Sequence, residues 1–418
     1  MATTTSKRLL GGCLAAPLLA LGFIAACGLD AVGKAAPEEP VATPDGSIAV
    51  EEVDVAPPDG SPPDAKPPET CTWPSLERDA PWPMIGGCVG HPGRTAHRGP
   101  KQTPKVVWQA SVRTRETQPV IGADGTVHVP ADVTGIAAFA PDGGRRPSVD
   151  AGGNVTNAPS IGADGTLYFG DAHEVVAHAK DGARWRSPTN GEIDTSTLVD
   201  VDGTVYSGSF DDSFYAVGPD GGVRWKVDLG ADIWSSAALG PTGVIYVGAS
   251  NRLYAFERDG GQSWTFTTTG NIDSSPVVAD DGTIYIGTIG ARLHAVLPDG
   301  GAKWAFVTKG NFGWQQLPAV GTDGTVYATT NKHLAAIAPA DGGVRWERDV
   351  GVPLRTSVVV DGDGDLYFGG DRRMFAYDPS GNQLWMLDIG SNPFGFAIGR
   401  DGTIFVACNG DTLLALHE

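Results

Sequence analysis

The repeating unit that decides the fold reads SPVVADDGTIYIGTIGARLHAVLPDGGAKWAFV over residues 275–307. It contains four short segments that alternate apolar and polar residues or are rich in β-branched residues, as half-buried strands are. Asp281-Gly282 and Asp299-Gly300 separate segments of the unit. Asp-Gly pairs supply the positive φ angles that tight hairpins need. The unit therefore predicts four antiparallel strands.

Three markers repeat this unit eight times from residue 101 onward. They are an Asp-Gly turn, an aromatic residue four positions later, and an alanine followed by a Gly-rich turn and a tryptophan. Successive turns lie 38–42 residues apart, a period typical of propellers and solenoids. No unit has ten residues with helical periodicity, which excludes helical solenoids. The predicted fold is all-β, an eight-bladed β-propeller over residues 101–418 with four antiparallel strands per blade.

The recurring tryptophans are predicted to dock each blade on the next. A large indole can pack against the small alanine of a neighbouring blade. Pro147 stands at the tryptophan position of the first unit, so that junction is expected to be less well held. The blade-docking residues are Trp108, Trp185, Trp225, Trp264, Trp304, Trp346 and Trp385.

The register of the repeats also predicts how the ring closes. Trp108 lies on a strand that precedes the first Asp-Gly hairpin, whereas the last unit ends after Ala415 without a tryptophan strand of its own. An incomplete terminal blade would expose unpaired strand edges. We therefore expect residues about 104–112 to supply the outermost strand of the last blade.

The segment AVGPDGGVRW, residues 216–225, resembles the tryptophan-docking motif of the PQQ-like (pyrroloquinoline-quinone-like) propeller repeat. That family includes quinoprotein alcohol dehydrogenases and an outer-membrane barrel-assembly lipoprotein. The resemblance covers residues 101–418 and extends to WPMIGG at residues 82–87, which is similar to the start of many such propellers. The resemblance is strong evidence for the fold and weak evidence for the function, because one fold hosts enzymes and binding proteins alike.

Residues 1–26 have the layout of a secretory signal, with two basic residues before an apolar run. The run ends in FIAACG, which resembles a bacterial lipobox and implies that Cys27 is acylated. The alternative is an ordinary signal cleaved after small residues. Residues 27–70 contain nine prolines, ten acidic residues and no aromatic residue, which predicts a disordered acidic tether. The implied location is the bacterial cell envelope, anchored by lipid, and Gly28 favours the outer membrane, facing the periplasm or the cell surface.

Residues 71–100 form a lead-in that Cys71 and Cys88 bracket. In an oxidising envelope these two cysteines are the natural disulfide pair, and the loop they close would contribute about 3 kcal/mol to stability. Cys408 lies within an apolar strand, where a lone cysteine is expected to be a small buried hydrophobe.

Charge and motifs exclude several function classes. The formal net charge of −19 leaves no basic field for phosphate backbones, so nucleic acid is not an expected partner. The sequence has no nucleophile elbow, H-E-x-x-H pair, P-loop or dinucleotide fingerprint. His128 and His294 occupy repeat positions that hold tyrosine elsewhere. DGDGD at residues 361–365 resembles a calcium loop but lacks the later glutamate and coincides with a hairpin turn. No catalytic residue, metal site or cofactor is predicted.

A binding face is the candidate site that remains. Loops from each tryptophan strand to the next inner strand are expected to meet around the central channel on one face. Aromatic residues at non-repeat positions of such loops are common in recognition patches. The alternative is that they plug the channel. The predicted binding-face residues are Asp194, Trp234, Asp273, Phe312, Trp314, Gln315, Arg355 and Phe394.

Two function classes follow. The first is a lipid-anchored, monomeric, non-catalytic binding or scaffolding propeller that binds an unidentified envelope protein, one version being the outer-membrane assembly role that the resemblance implies. The alternative is a carbohydrate- or quinone-binding propeller with enzymatic activity. The related dehydrogenases hold their quinone with calcium, a catalytic aspartate and usually a disulfide of adjacent cysteines. This chain has no adjacent cysteine pair, so the first class is favoured.

Overall fold

The fold was analysed in a computed structural model of the chain. The described residues are 71–114, 117–131, 135–272, 274–310 and 316–418. In these ranges the regular elements are β-strands, and no helix there is long and apolar enough to cross a membrane. The predicted signal peptide and tether, and with them Cys27, lie outside the described residues.

The strands form eight four-stranded sheets, the blades. Blades 1 to 4 comprise β2 (Val120–Ile121), β3 (Val127–Ala131), β4 (Gly135–Phe139) and β5 (Arg145–Val149); β6 (Ser160–Ile161), β7 (Leu167–Asp171), β8 (Glu174–Ala179) and β9 (Gly182–Pro188); β10 (Leu198–Val199), β11 (Val205–Gly208), β12 (Ser213–Val217) and β13 (Val223–Asp228); β14 (Ala238–Leu239), β15 (Ile245–Ala249), β16 (Arg252–Phe256) and β17 (Gln262–Thr267).

Blades 5 to 8 comprise β18 (Val277–Val278), β19 (Ile284–Thr288), β20 (Arg292–Val296) and β21 (Ala302–Val307); β22 (Ala319–Val320), β23 (Val326–Thr330), β24 (His333–Ile337) and β25 (Val344–Asp349); β26 (Val359–Val360), β27 (Leu366–Gly370), β28 (Arg373–Tyr377) and β29 (Gln383–Asp388); β30 (Pro393–Ile398), β31 (Ile404–Cys408), β32 (Thr412–His417) and β1 (Lys105–Ser111).

Blade 8 joins the two ends of the propeller. β1 pairs antiparallel with β32, and Trp108 lies opposite Ala415. β1 is thus the outermost strand of the last blade and closes the ring. The predicted eight-bladed, all-β propeller with an N-terminal closing strand is confirmed.

The core lies between neighbouring sheets, because the inner strands of each blade are covered on both faces. In blade 3, β11 and β12 are buried at every residue, whereas the outer strand β13 alternates exposed and half-buried residues. This contrast follows from the sequence, since fully buried strands are continuously apolar and edge strands alternate.

Each docking tryptophan has a cross-strand partner in its own blade and a hydrogen-bond partner outside it. Trp225 lies opposite Ala216 of its own blade, so the alanine that precedes the tryptophan in each repeat is its cross-strand partner. Outside its own blade each indole donates from Nε1 to a backbone carbonyl at 2.7–2.9 Å. The carbonyl lies in the turn of the next blade for six tryptophans and belongs to Pro100 of the lead-in for Trp385.

A glycine of that turn lies beneath six of the seven indoles. A Cβ built on Gly221, which has φ +84°, would lie 2.8 Å from Trp185. A Cβ built on the equivalent glycines would lie 2.7–2.9 Å from the docking tryptophan; they are Gly143, Gly260, Gly300, Gly342 and Gly381. The glycine therefore allows both the left-handed turn and the close approach of the indole.

The lead-in, residues 71–100, is held by the blades. A disulfide joins Cys71 to Cys88, with Cα atoms 5.4 Å apart. Carbonyls of the lead-in accept hydrogen bonds of 2.7–2.9 Å from the final residue of six inner strands. The donor and acceptor pairs are Ile121–Trp82, Ile161–Pro83, Leu239–Val89, Val278–Gly90, Val320–Pro92 and Val360–Gly93.

In blade 3 the lead-in donates instead, because Ser75 Oγ bonds to the carbonyl of Val199 at 2.8 Å. A segment that touches the inner strands of seven blades must lie across the axis of the ring. Trp82, Met84 and His91 of this segment are fully buried. The lead-in thus fills the end of the channel at which the inner strands end.

Candidate functional site

The opposite end of the channel is formed by the loops that precede the inner strands. We call this surface the mouth face. It comprises the positions three to five residues before each inner strand. Asp194 precedes β10, Trp234 precedes β14 and Arg355 precedes β26 by four residues each, so these side chains occupy equivalent places in three blades.

Two fixed points hold each of these loops. On one side a buried aliphatic residue rests on a glycine of the preceding blade: a Cβ on Gly208 would lie 2.4 Å from Ile233. On the other side a buried hydroxyl bonds the backbone of the loop's own blade, as Ser235 Oγ accepts from the Gly248 amide at 3.2 Å. The residue between them, Trp234 in this loop, is therefore held at the surface by its neighbours.

Trp234 is half-buried and forms an aromatic pair on the mouth face. Its ring centroid lies 4.2 Å from that of Phe210, at an interplanar angle of 45°. Sequence reasoning missed Phe210, which follows β11 at a position where the sister repeats have no aromatic residue. That departure from the repeat was the available signal.

Asp194 is also half-buried, and it accepts a hydrogen bond of 2.9 Å from Asn157 Nδ2. Asn157 lies three residues before β6, so the bond links the loops of blades 2 and 3. Asn157 was not among the predicted residues. The signal that could have found Asn157 was a polar residue in the blade 2 loop, three residues before the inner strand.

Arg355 and Phe394 come together around a small cavity of about 50 Å³. Arg355 is exposed and Phe394 half-buried. Gln118 lies in the same cavity wall and links two parts of the molecule, because it donates to the carbonyl of Phe396 at 2.8 Å and accepts from the Gly86 amide at 3.0 Å. Ile85 also lines the cavity, so the lead-in forms part of its wall.

The structure therefore separates the described members of the predicted face into three groups: Asp194 with Asn157, Trp234 with Phe210, and Arg355 with Phe394. Of the other predicted residues, Asp273, Phe312, Trp314 and Gln315 lie outside the described residues. Phe394 is also placed differently from the prediction, because it belongs to β30 and not to the loop before it.

The DGDGD turn at residues 361–365 is occupied by contacts within the protein. Asp361 accepts hydrogen bonds from the amides of Asp363 and Asp365, each at 2.9 Å, and from the Gly99 amide at 2.8 Å. Burial raises the pKa of Asp361, and burial beside Asp361 raises the pKa of Asp365 to about 6. Lys101 bonds Asp363 at 2.8 Å. These carboxylates fasten the lead-in to blade 7.

Comparison with known families decides which kind of propeller this is. The family model described as outer membrane protein assembly factor BamB matches residues 171–310 and 298–417. The chain belongs to this PQQ-like propeller family. The match runs from the end of β7 to the end of β32. It therefore includes six of the seven docking tryptophans. No curated protein sequence matches the chain.

Solved structures similar to this PQQ-like propeller include a BamB protein and two dehydrogenases. BamB from Moraxella catarrhalis has a TM-score of 0.63 at 14% identity, over 75% of this chain and 100% of that one. The quinohemoprotein alcohol dehydrogenase from Comamonas testosteroni has a TM-score of 0.67 at 13% identity, over 82% and 81%. A europium-containing methanol dehydrogenase has a TM-score of 0.64 at 14% identity, over 79% and 90%. At these identities the likeness shows the fold alone.

The dehydrogenase neighbours raise the question of whether a quinone would fit the mouth face of this PQQ-like propeller. Small-molecule sites occupy several hundred Å³, whereas the cavity beside Arg355 and Phe394 measures about 50 Å³. Among the described residues, no three His, Cys, Asp or Glu side chains gather where they could hold a metal ion. The residues that line this cavity do not fit a fused-ring quinone and its cation.

Proposed function

We propose that this protein is a non-catalytic, lipid-anchored binding propeller of the bacterial cell envelope, which binds a protein partner of outer-membrane assembly through its mouth face. The family match supports the envelope and outer-membrane part of the proposal. The observation that carries the binding part is the filled channel. Because the lead-in lies across the ring, the cavity that the described residues form at the mouth face beside Arg355 and Phe394 measures only about 50 Å³.

The chemistry of the mouth face suits a protein partner. The mouth face carries the aromatic pair of Trp234 and Phe210 and, in a separate group, the carboxylate of Asp194 bonded to the amide of Asn157. Tryptophan and arginine are the residues most often found at the centres of protein interfaces, with polar groups around them. Arg355 on the same face supplies an exposed guanidinium.

Site-specific photo-crosslinking in the native host tests this binding proposal. A photoreactive amino acid at position 234 should give adducts with one outer-membrane assembly protein, and the same amino acid at position 107 should not. Val107 is a matched control because it is also surface-accessible, 53% exposed, but lies on the outer strand β1. Identical adducts from both positions, or none from position 234, would contradict the proposal.

A second experiment separates binding from folding. The double variant Trp234→Ala/Trp314→Ala should keep its melting temperature within a few degrees and lose the adducts formed from a crosslinker at position 194. If the variant unfolds instead, these tryptophans stabilise the channel and the mouth face is not a binding surface.

The lipid anchor is tested by Cys27→Ser. This variant should lack acylation and move from the membrane fraction to the soluble fraction, because one lipidated cysteine is the proposed attachment. A Cys27→Ser protein that still sediments with membranes after a high-salt wash would refute lipid anchoring while leaving the binding proposal standing.

The dehydrogenase-like neighbours favour a second candidate, an enzyme that uses a quinone. Purified protein can be mixed with pyrroloquinoline quinone and Ca²⁺ and assayed with alcohols and sugars, using reduction of a dye as the readout. We expect no turnover, since the cavity at the mouth face is too small for the cofactor. Turnover above that of the quinone alone would show that the protein is an enzyme.

A further inference from the structure

The junction between blades 1 and 2 differs from the other seven. In blades 2 to 8 an aromatic ring on the second strand packs against the docking tryptophan of the same blade, with centroids 5.6–6.1 Å apart. In blade 1 both members of this pair are replaced. His128 stands at the aromatic position and Pro147 at the tryptophan position, so blade 1 has no indole to insert into blade 2.

The receiving turn in blade 2 is changed as well. It is one residue shorter than that of blade 3, since eight positions separate Ala177 from Trp185 and nine separate Ala216 from Trp225. Its glycine, Gly182, has φ +131°, and a Cβ built there meets no atom within 4 Å. A Cβ built on the glycines beneath the docking tryptophans would lie 2.7–2.9 Å from the indole. Both sides of this junction therefore leave open the space that an indole fills elsewhere.

A cavity of about 320 Å³ occupies this space. Its apolar wall includes Pro147, Val149, Ile161 and Leu167, which come from both blades. For comparison, an apolar cavity of about 150 Å³ in another protein is large enough to bind benzene. The junction cavity is therefore large enough for a two-ring aromatic molecule.

His128 provides a polar group in the wall of this cavity. Its Nδ1 is buried and makes no hydrogen bond with any residue that the structure describes. A buried polar atom without a partner costs free energy, so such an atom points to a missing partner. Burial lowers the pKa of His128 to about 4. The ring is thus neutral at pH 7 and carries one donor and one acceptor nitrogen.

The charged groups around the cavity do not require a charged ligand. Arg146 pairs with Asp124, and the same arginine–aspartate contact recurs in blade 3 between Arg224 and Asp202. Lys180 and Glu77 add one charge of each sign to the wall. The two acidic and two basic side chains that line the cavity therefore balance in charge.

We propose that the cavity between blades 1 and 2 binds a small, uncharged, planar heteroaromatic molecule, which takes the place of the missing indole and hydrogen-bonds to the imidazole of His128. The shape follows from the seven equivalent junctions, where a planar indole fills this space. The ring heteroatom follows from the imidazole of His128 in the cavity wall. This site is separate from the mouth face and does not depend on the proposed function.

Indole is the probe, because it is the ring that the other junctions hold. In wild-type protein carrying ¹⁵N-labelled histidine, millimolar indole should shift the imidazole resonances of His128 and leave those of His294 unchanged. His294 is a matched control, since it is also buried and lies on a blade strand whose tryptophan is in place. Unchanged His128 resonances at saturating indole would overturn the proposal without the need for any variant.

Substitutions at Pro147 test the location of the site. Pro147→Trp restores the indole of the other blades and should weaken indole binding at least tenfold, measured by calorimetry. Pro147→Ala leaves the space open and should bind indole within about threefold of wild type. Equal affinity in a folded Pro147→Trp variant would show that indole binds elsewhere.

Substitution of His128 tests the hydrogen bond. His128→Phe keeps a flat ring and removes the nitrogens, so indole should bind about tenfold more weakly while toluene, which has no polar atom, should bind as well as to wild type. If both probes lose affinity equally, the histidine acts through packing and the heteroatom requirement is wrong.

Discussion

The indole Nε1 of Trp385 donates to the backbone carbonyl of Pro100 at 2.7 Å, across 285 residues of sequence. Tyr367 donates its hydroxyl to the same carbonyl at 3.2 Å. Blade 7 therefore docks on the lead-in, whereas the docking tryptophans of the other blades bond to a turn of the next blade. Trp385 is also the most buried of the docking tryptophans, with 3% of its surface exposed.

This difference predicts unequal costs of truncation. Trp385→Ala should lower the free energy of unfolding by about 3–5 kcal/mol, the range for a fully buried tryptophan. Trp264→Ala removes the same kind of carbonyl bond from a half-buried indole and should cost clearly less. Urea unfolding of both variants measures the difference, and equal losses would show that contact with the lead-in adds nothing.

Glycines of the docking turns give a second prediction. Gly221→Ala should destabilise the protein more than Gly230→Ala. Both positions have positive φ, +84° and +72°, so both variants incur backbone strain. Only the Cβ at position 221 would also collide with Trp185, at 2.8 Å. Thermal melts should show the larger fall in melting temperature for Gly221→Ala; the reverse order would contradict the docking geometry.

Ring closure gives a third prediction. Deletion of residues 105–111 removes β1, leaves β32 as an unpaired edge and removes the indole of Trp108 from blade 1. A loss of several kcal/mol is expected from the buried contacts and the exposed edge. Deletion of the predicted tether, residues 28–70, is the control and should leave the melting temperature nearly unchanged. Equal melting temperatures for the two deletions would be incompatible with a ring closed by β1.

The lead-in disulfide gives a fourth prediction. Replacement of both Cys71 and Cys88 by serine should lower the free energy of unfolding by about 3 kcal/mol, the loop-entropy value for cysteines 17 residues apart. Cys408→Ser is a control that keeps the disulfide and alters one buried thiol. A stability unchanged by loss of the bridge would mean that the hydrogen bonds to the blades alone fix the lead-in.

Buried histidine in the lead-in makes stability depend on pH. Burial lowers the pKa of His91 to about 4, below its ordinary value of 6.5. The unfolded chain therefore binds this proton more readily, and the stability from this site is complete above pH 6.5 and lost as pH falls towards 4. We expect the melting temperature of the wild type to fall by more between pH 7 and pH 4.5 than that of His91→Gln.

Asp365 acts in the opposite direction. Its pKa is raised to about 6, so its contribution to stability increases as pH falls from 6 towards 4. Asp365→Asn removes this compensation and should steepen the acid loss seen in the wild type. Parallel pH profiles for wild type, His91→Gln and Asp365→Asn would show that neither site governs acid stability.

The repeat predicted the fold because its signals are local and periodic. Asp-Gly turns, alternating strands and one tryptophan per unit determine each blade, and a spare tryptophan strand at Trp108 indicated the closure. The predicted contact of each indole with an alanine of the neighbouring blade stays a prediction, whereas the structure shows a cross-strand alanine and a carbonyl bond outside the blade. Spacing shows that an alanine precedes the tryptophan by about nine residues, which fits either a cross-strand pair within one blade or a contact between blades.

The position of the lead-in could not be predicted in the same way. Its residues have no period, and its main contacts are backbone hydrogen bonds to strand ends up to 267 residues away, such as that between Gly93 and Val360. A backbone carbonyl has no sequence signature. The replacements at His128 and Pro147 and the shorter turn of blade 2 were each visible in the alignment of the repeats, but only the structure shows that His128 and Pro147 line one cavity.

Closure of the ring by strands from the two ends of the propeller also affects how fast the protein can fold. The amides of Lys101 and Gln102, which follow the lead-in, bond to Glu418, 317 and 316 residues away, and β1 pairs with β32. Contacts of such long range carry a high loop-closure cost and are associated with slow folding. The ring cannot close before β32 has been synthesised. Until then, the strand edges of the first blades stay exposed.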